Sequence, residues 1–297
     1  MTGARSPRTT YHLPLNMIIQ PFRSIVKNYK AVFLDSYGVL KTYKGLIPGA
    51  IETVQYILES GREFYVLTND ASRSPELLAA KFHDIGLGSI KAEHIISSGM
   101  MAKEYLVNKI RSGRVAYLGT EDAAHYIDEA GLAMVSIADL DLGDMEDISA
   151  LVFLDDEGFD WNTDISKAVN LLRSKNIPTI VANSDLTYPA SKDEVAIATG
   201  GVADIVERIV QKTFIHFGKP DGSMFMYAYE QLIEKGEFTK REILMVGDTL
   251  YTDILGGNKF GVDTALVLTG NTRKERAEVL IRSYGIIPDY ICESVGT

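Results

Sequence analysis

The fold is decided by a short apolar run that ends in a carboxylate, Ala31-Val-Phe-Leu-Asp35, and continues as Ser36-Tyr-Gly38. Four consecutive apolar residues before a polar turn are typical of a strand that is buried on both faces of a parallel sheet. Such sheets bind their ligands beyond the carboxyl ends of the strands. Asp35 therefore stands where a functional side chain is expected.

Short apolar runs alternate with helix-length amphipathic segments along the rest of the chain. This rhythm predicts strand-helix-strand units and therefore an α/β fold with a doubly wound parallel sheet. The predicted strands are 31–35, 63–69, 114–119, 148–154, 179–182, 214–217, 243–246 and 264–268. The predicted helices begin near Pro48, after Ser74-Pro75 and after Thr252, or cover 122–130, about 162–175 and 222–235.

The rhythm starts again at about residue 97, which predicts two structural units, as the length of 297 residues also favours. We expect residues 29–96 and 191–297 to form the sheet that contains Asp35, and residues 97–190 to form an inserted α/β unit. Residues 1–28 are interpreted as a leader outside the fold, because Pro14 and Asn16 interrupt the apolar stretch there.

The composition limits the classes of partner. The formal net charge is −10, and a surface that acidic repels the phosphates of nucleic acids and anionic lipids. The single cysteine, Cys292, excludes an intrachain disulfide and favours a reducing, cytoplasmic compartment. No apolar run approaches the roughly 18 residues that a membrane span requires. We therefore expect a cytoplasmic protein without nucleic-acid or membrane partners.

Four polar clusters follow predicted strands. They are Asp35-Ser-Tyr-Gly38, Thr68-Asn69-Asp70, Gly218-Lys219-Pro220 and Gly247-Asp248-Thr249, the last followed by Asp253. Each cluster alone has an ordinary explanation as a helix cap, a turn or a solvated lysine. Four at strand ends of one sheet predict a shared site.

The residue types indicate phosphate chemistry. A carboxylate such as Asp35 is a weak nucleophile toward a phosphate dianion until a divalent cation and a lysine neutralise the phosphoryl oxygens. Asp35 and Asp248 offer the oxygen ligands that Mg²⁺ prefers. Lys219 can neutralise the phosphate, and the Thr68 hydroxyl and the Asn69 amide can donate to its oxygens.

These motifs resemble those of haloacid-dehalogenase (HAD) superfamily hydrolases, and within them the class IIA, NagD-like phosphatases with a C2-type cap domain. The resemblance covers roughly residues 30–270. It depends most on the stretch Val246-Gly-Asp-Thr-Leu-Tyr-Thr-Asp-Ile-Leu-Gly-Gly257, with support from Phe217-Gly-Lys-Pro220 and Leu67-Thr-Asn69. It implies Mg²⁺-dependent hydrolysis of a small phosphorylated metabolite, such as a sugar phosphate. Because related capped proteins often dimerise, it also implies a homodimer.

The resemblance assigns a role to each motif residue. The nucleophile falls on Asp35, and the metal ligands fall on Asp35, the backbone carbonyl of Tyr37 and Asp248. Asp253 matches a carboxylate that supports the water shell of the metal or the lysine. The phosphate-binding positions of the family fall on Thr68, Asn69 and Lys219.

Tyr37 departs from the family pattern. Most phosphatases of the superfamily have there a second aspartate, which protonates the leaving alkoxide and then activates water. A phenol with a pKa of about 10 is a poor base at neutral pH, and loss of an acid/base typically costs on the order of 10²–10⁴ in rate.

Tyr37 leaves two alternative functions and one purely structural explanation open. The protein could bind a phosphorylated ligand in a regulatory role, with weakened catalysis. It could act as a 2-haloacid dehalogenase, since those enzymes have a similar Asp-x-Tyr-Gly stretch, although they work without a metal. Finally, Tyr37 could simply pack as an aromatic residue beside the cap.

Residues 97–190 match the position and size of the family's cap. We expect hinges at Ser97-Ser98-Gly99 and around Tyr188-Pro189. The segment 181–189 resembles the part of the cap that faces the active site, which makes Asn183, Asp185 and Tyr188 candidates for substrate contact. Simple turn hydrogen bonds explain Asn183 and Asp185 equally well.

Overall fold

The structure, a computed structural model, describes residues 17–191 and 194–297. In chain order its strands are β1 (Ala31–Leu34), β2 (Lys41–Thr42), β3 (Gly45–Leu46), β4 (Glu63–Thr68), β5 (Ile95–Ser97), β6 (Arg114–Leu118), β7 (Ala133–Ser136), β8 (Ile148–Phe153), β9 (Thr179–Val181), β10 (Thr187–Pro189), β11 (Val195–Ile197), β12 (Ile215–His216), β13 (Ile243–Gly247), β14 (Asp263–Val267) and β15 (Tyr290–Cys292). Its α-helices are α1 (Phe22–Val26), α2 (Ala50–Glu59), α3 (Pro75–Asp84), α4 (Ser98–Lys109), α5 (Glu121–Asp128), α6 (Thr163–Ser174), α7 (Thr199–Val210), α8 (Gly222–Lys235), α9 (Leu255–Phe260) and α10 (Lys274–Tyr284).

The core sheet is parallel and has the strand order β15-β14-β13-β1-β4-β5. Strand β1 lies between β13 and β4, and all four of its side chains are fully buried. That position explains the uninterrupted apolar run that precedes Asp35, because a central parallel strand is covered on both faces. The predicted doubly wound α/β fold is confirmed.

A second parallel sheet has the order β12-β9-β8-β6-β7. The remaining strands form two antiparallel hairpins. Hairpin β2–β3 is the next element after β1, and hairpin β10–β11 is the next after β9. We call the second sheet, its helices and the β10–β11 hairpin the cap unit. In the part of the chain that the structure describes, no helix is long and apolar enough to cross a membrane.

The predicted end of the inserted unit at residue 190 needs correction. Ile215 and His216 pair with strand β9 of the second sheet, not with a core strand. Helix α7 packs its buried residues, among them Val202 and Val206, into the apolar cluster of that same sheet. The cap unit therefore continues through β12, and the chain returns to the core at 217–220 instead of at Tyr188-Pro189.

The predicted leader also needs correction. Helix α1 buries Phe22, Ile25 and Val26 in the apolar core beneath the first sheet, and Ile19 pairs with Ile291 next to strand β15. Residues 17–28 are thus part of the core because their apolar side chains cover it. The rest of the predicted leader, residues 1–16, lies outside the described residues.

The strand register brings the predicted motifs together. Leu34, the last residue of β1, is paired with Val246 of β13 and with Val66 of β4. Because the three strands are parallel, the polar residues that follow them emerge at one edge of the sheet. Asp35 and Asp248 are therefore neighbours although they are far apart in sequence.

Candidate active site

Lys219 links two carboxylates at the centre of this edge. Its Nζ donates to Asp35 Oδ1 at 2.5 Å and lies 2.7 Å from Asp253 Oδ1. The lysine is 2% exposed, and it comes from the loop through which the chain returns from the cap unit. Asp253 lies in a π-helical turn, Leu250–Ile254, directly after β13, and its other oxygen accepts from the backbone N–H of Thr249 at 3.0 Å. Asp253 thus fixes the lysine that contacts the predicted nucleophile.

The Asp248 carboxylate is held by one backbone and one side-chain hydrogen bond. Its Oδ2 accepts from the Asn271 N–H at 2.5 Å, and its Oδ1 accepts from the Thr249 hydroxyl at 2.9 Å. Two glycines make room for this carboxylate. A Cβ at Gly38, whose φ is +81°, would lie 2.3 Å from Oδ2, and one at Gly270 would lie 1.8 Å away. Those positions must lack a side chain because the carboxylate occupies the space.

The carboxylates carry more negative charge than the lysine can balance. Burial raises the pKa of Asp35 to about 7, an effect that Lys219 opposes and Asp253 increases. Burial, together with the charges of Asp35 and Asp253, also raises the pKa of Asp248 well above its ordinary range. Burial alone would lower the pKa of Lys219, but Asp253 and Asp35 raise it above the ordinary value. The lysine therefore stays charged between the two carboxylates that contact it, and Asp248 lies close to both of them.

This donor set fits a hard divalent cation. One oxygen each from Asp35, Asp248 and Asp253 lies within 4.8 Å of the others. All three are carboxylate oxygens, which Mg²⁺ prefers, and Lys219 contacts two of them. We propose Asp35 and Asp248 as direct ligands, with the carbonyl of Tyr37. Asp253 is the proposed support, since its oxygens already face Lys219 and Thr249.

Thr68 and Asn69, the predicted phosphate donors, are placed differently from each other. Thr68 Oγ1 accepts from the Asp70 N–H at 3.2 Å, which leaves its own proton for a ligand. The Asn69 amide donates to Asp185 Oδ1 at 2.9 Å and to the Lys219 carbonyl at 3.0 Å, while its oxygen accepts from the Lys219 N–H at 2.7 Å. The predicted donation from the Asn69 amide to phosphate is therefore corrected. Its side chain positions Lys219 and contacts the cap unit instead.

The three cap candidates lie at the same cavity. Asn183 Oδ1 accepts from the Asp185 N–H at 2.8 Å, which is the turn hydrogen bond expected from the alternative explanation. Asp185 accepts from Asn69, and burial raises the pKa of its carboxyl group. The Tyr188 hydroxyl donates to Asp156 Oδ2 at 3.1 Å. Asp185 thus contacts the core, whereas the Tyr188 hydroxyl is bonded within the cap unit. Substrate contact by all three stays a prediction.

Tyr37 directs its hydroxyl to backbone groups. The oxygen accepts from the Tyr43 N–H at 3.2 Å, and the proton is donated to the Pro189 carbonyl at 3.3 Å. Burial raises the pKa of Tyr37, and the nearby charge of Asp248 adds to this effect. The hydroxyl is therefore poorly placed to exchange protons with a substrate.

A cavity of about 1080 Å³ joins these residues between the core and the cap unit. Its lining also includes residues outside the predicted clusters: Arg73, Asp155, Asp156 and His216. Asp155 and Asp156 directly follow Leu154 at the end of β8, so the strand-end rule that selected Asp35 would have selected them too.

Comparison with known proteins places the chain in a family. Residues 32–133 match the family described as haloacid dehalogenase-like hydrolase, and residues 216–297 match the related HAD hydrolase-like family. The crystal structure of a possible sugar phosphatase of the HAD superfamily from Cytophaga hutchinsonii is 56% identical, with a TM-score of 0.91, and the match covers 95% of this chain and 99% of that one. Chronophin of Bos taurus is 29% identical over 280 residues, which are 92% of this chain and 93% of chronophin.

A glycerol phosphate phosphatase from Mycobacterium tuberculosis, crystallised in complex with magnesium, shares the fold. It is 23% identical with a TM-score of 0.73, and the match covers 94% of this chain and 78% of that one. The fold, the strand-end site and the 56% identical structure define the class: a HAD hydrolase with a cap unit over its strand ends. The chain belongs to the HAD superfamily, as its motifs predicted.

Proposed function

We propose that this protein hydrolyses a small phosphomonoester, such as a sugar phosphate, in a Mg²⁺-dependent reaction with Asp35 as nucleophile. The observation that carries this proposal is the buried cluster in which Lys219 Nζ lies 2.5 Å from Asp35 Oδ1 and three carboxylates converge within 4.8 Å. The description of the Cytophaga protein as a possible sugar phosphatase supports the substrate class. The small phosphorylated metabolite would enter the cavity above Asp35.

Each side chain of the site has a distinct role in the proposed reaction. An Asp35 carboxylate oxygen forms a bond to phosphorus as the bond to the ester oxygen breaks, which leaves an aspartyl-phosphate and an alkoxide that takes up a proton. Water then attacks phosphorus, releases phosphate and restores Asp35. Lys219 and the Thr68 hydroxyl neutralise and orient the phosphoryl oxygens. Mg²⁺ supplies further neutralisation when it is bound by Asp35, Asp248 and the carbonyl of Tyr37.

A binding or regulatory role with weak turnover is the second candidate. It is favoured by Tyr37, because the hydroxyl is bonded to Tyr43 and Pro189 and offers no ready acid/base. Haloacid dehalogenation is a weaker candidate, since those enzymes work without metal and this site gathers three carboxylates. The cytoplasmic location and the homodimer stay predictions from the sequence.

A substrate screen distinguishes the two main candidates. Phosphorylated sugars, phosphoglycolate, pyridoxal phosphate and p-nitrophenyl phosphate would be assayed with Mg²⁺ and after chelation. We expect Mg²⁺-dependent phosphate release that Asp35→Asn abolishes. If no ester turns over while one of them raises the thermal unfolding temperature, the enzymatic proposal fails and the binding role stands. Activity that survives Asp35→Asn would belong to a contaminant.

A further inference from the structure

The Tyr37 hydroxyl lies between two hairpins that belong to different parts of the molecule. Tyr43, whose N–H it accepts at 3.2 Å, lies in the turn between β2 and β3 of the core. Pro189, whose carbonyl it contacts at 3.3 Å, ends strand β10 of the cap unit. A single side-chain oxygen thus connects both hairpins.

Both partners of the hydroxyl are backbone groups. Their positions are set by the hairpins themselves, so each hydrogen bond fixes where a hairpin lies relative to the Tyr37 ring. The N–H contact of 3.2 Å is at the long end of the usual hydrogen-bond range, and the O–H contact of 3.3 Å is slightly longer than that range. Such contacts stabilise one arrangement of the two hairpins and still break when the hairpins separate.

A second contact joins the same two regions. Asn69, which follows the neighbouring core strand β4, donates to Asp185 at 2.9 Å. Asp185 and Pro189 belong to one short segment of the cap unit, and Tyr188 lies between them at the cavity. The core therefore contacts this segment at two points, one on either side of the cavity wall that Tyr188 forms.

We propose that Tyr37 is a positioning residue that holds the β10–β11 hairpin, and with it Tyr188, over the cavity above Asp35. Its hydroxyl acts through Pro189 and Tyr43 and transfers no proton to the substrate. The residue two positions after the nucleophile thus helps to hold the cap unit closed over the core. The kinetic consequences rest on the proposed phosphatase function, whereas the structural link does not.

The test compares Tyr37→Phe with Tyr43→Phe. The first variant removes only the linking hydroxyl. The second removes a hydroxyl from the same hairpin and leaves the Tyr43 N–H in place, which makes it a matched control. Amide hydrogen exchange would be followed at Tyr43 and in strands β10 and β11, together with kcat and KM for p-nitrophenyl phosphate.

In Tyr37→Phe we expect exchange at Tyr43 and in the β10–β11 hairpin to become roughly 3- to 10-fold faster, as for loss of one hydrogen bond. KM should rise by a similar factor and kcat should change less than KM, because the substitution leaves the Tyr37 carbonyl and the catalytic side chains in place. Tyr43→Phe should change none of these quantities.

Two results would overturn the proposal. Unchanged exchange in Tyr37→Phe would show that the hydroxyl links nothing. A fall in kcat on the order of 10² or more, without faster exchange, would show that it acts on the reacting groups. If the wild-type protein hydrolyses no phosphate ester, the proposed function fails separately, and hydrogen exchange still decides the role of Tyr37.

Discussion

Lys219 and Asp35 form a buried ion pair, with 2.5 Å between the lysine Nζ and the aspartate Oδ1. The contact orients one oxygen of Asp35 and opposes the effect of burial on its pKa. Asp253, at 2.7 Å, holds the lysine from the other side. The arrangement keeps a cation beside the nucleophile where phosphoryl oxygens would lie, and its removal has consequences for stability and for activity.

Lys219→Met should damage both properties. Loss of the ammonium group between Asp35 and Asp253 should lower the free energy of unfolding by about 3–5 kcal/mol, as for other broken buried pairs. Loss of one preorganised charge at the phosphate should lower kcat on the order of 10²–10³. Chemical denaturation and steady-state kinetics measure the two effects, and Lys27→Met, at an exposed position, is the control. Activity within tenfold of wild type would show that Lys219 is dispensable.

Mg²⁺ binding should weaken as the pH falls. The pKa of Asp35 is about 7, raised from the ordinary value of 3.8, so below pH 7 the carboxyl is mostly protonated and a cation must displace its proton. In the metal-free protein, the contribution of Asp35 to stability is fully present below about pH 4 and is lost as the pH rises through about 7. Mg²⁺ should therefore stabilise the protein more at pH 8 than at pH 6.

Thermal unfolding at a fixed Mg²⁺ concentration measures this difference, since a bound ligand raises the unfolding temperature. Asp35→Asn should remove most of the dependence on pH, while Asp128→Asn, an exposed change in helix α5, should preserve it. An equal Mg²⁺ effect at both pH values would show that the metal does not bind at Asp35.

Gly270→Ala should weaken the metal site without touching a ligand. A Cβ at Gly270 would lie 1.8 Å from Asp248 Oδ2, so the carboxylate must move. Disturbing the surroundings of a metal ligand typically costs about 10- to 100-fold in affinity or activity. Calorimetric titration with Mg²⁺ measures the affinity. Gly236→Ala is the matched control, because its Cβ would meet only Phe238, at 3.6 Å. Equal affinities in the two variants would place the cation away from Asp248.

The convergence of Asp35, Thr68 and Asp248 could be predicted because strand ends are a local signal. A buried apolar run followed by a polar residue fixes both the strand and the edge at which the side chain emerges. The use of the Asn69 amide could not be predicted in this way. Its partners are Asp185 and the backbone of Lys219, 116 and 150 residues away, and only the packing of the cap unit onto the core brings them together.

The sequence also could not predict to which sheet a short strand belongs. Ile215 and His216 form a strand of two residues, which is too short for a pattern that would distinguish one sheet from the other. Helix α1 was missed because its five residues give little periodicity, although Phe22 and Ile25 are buried. In both cases tertiary packing decided what local patterns left open.

Tyr37 leads to a prediction about leaving groups. Because its hydroxyl is bonded to Tyr43 and Pro189, an alkoxide leaving group lacks a proton donor there, whereas a nitrophenolate is stable without one. The aspartyl-phosphate should therefore form much faster from p-nitrophenyl phosphate than from an alkyl phosphate such as a sugar phosphate. Tyr37→Asp should raise the single-turnover rate of aspartyl-phosphate formation from the alkyl phosphate, by up to roughly 10²-fold, and change that from the nitrophenyl ester little. Tyr37→Asn introduces a side chain of the same size as aspartate but without a titratable proton, so it should raise neither rate. Equal wild-type rates of aspartyl-phosphate formation from both esters would mean that another group already protonates the leaving oxygen. Equal gains in the Asp and Asn variants would show that the gain does not come from a proton donor.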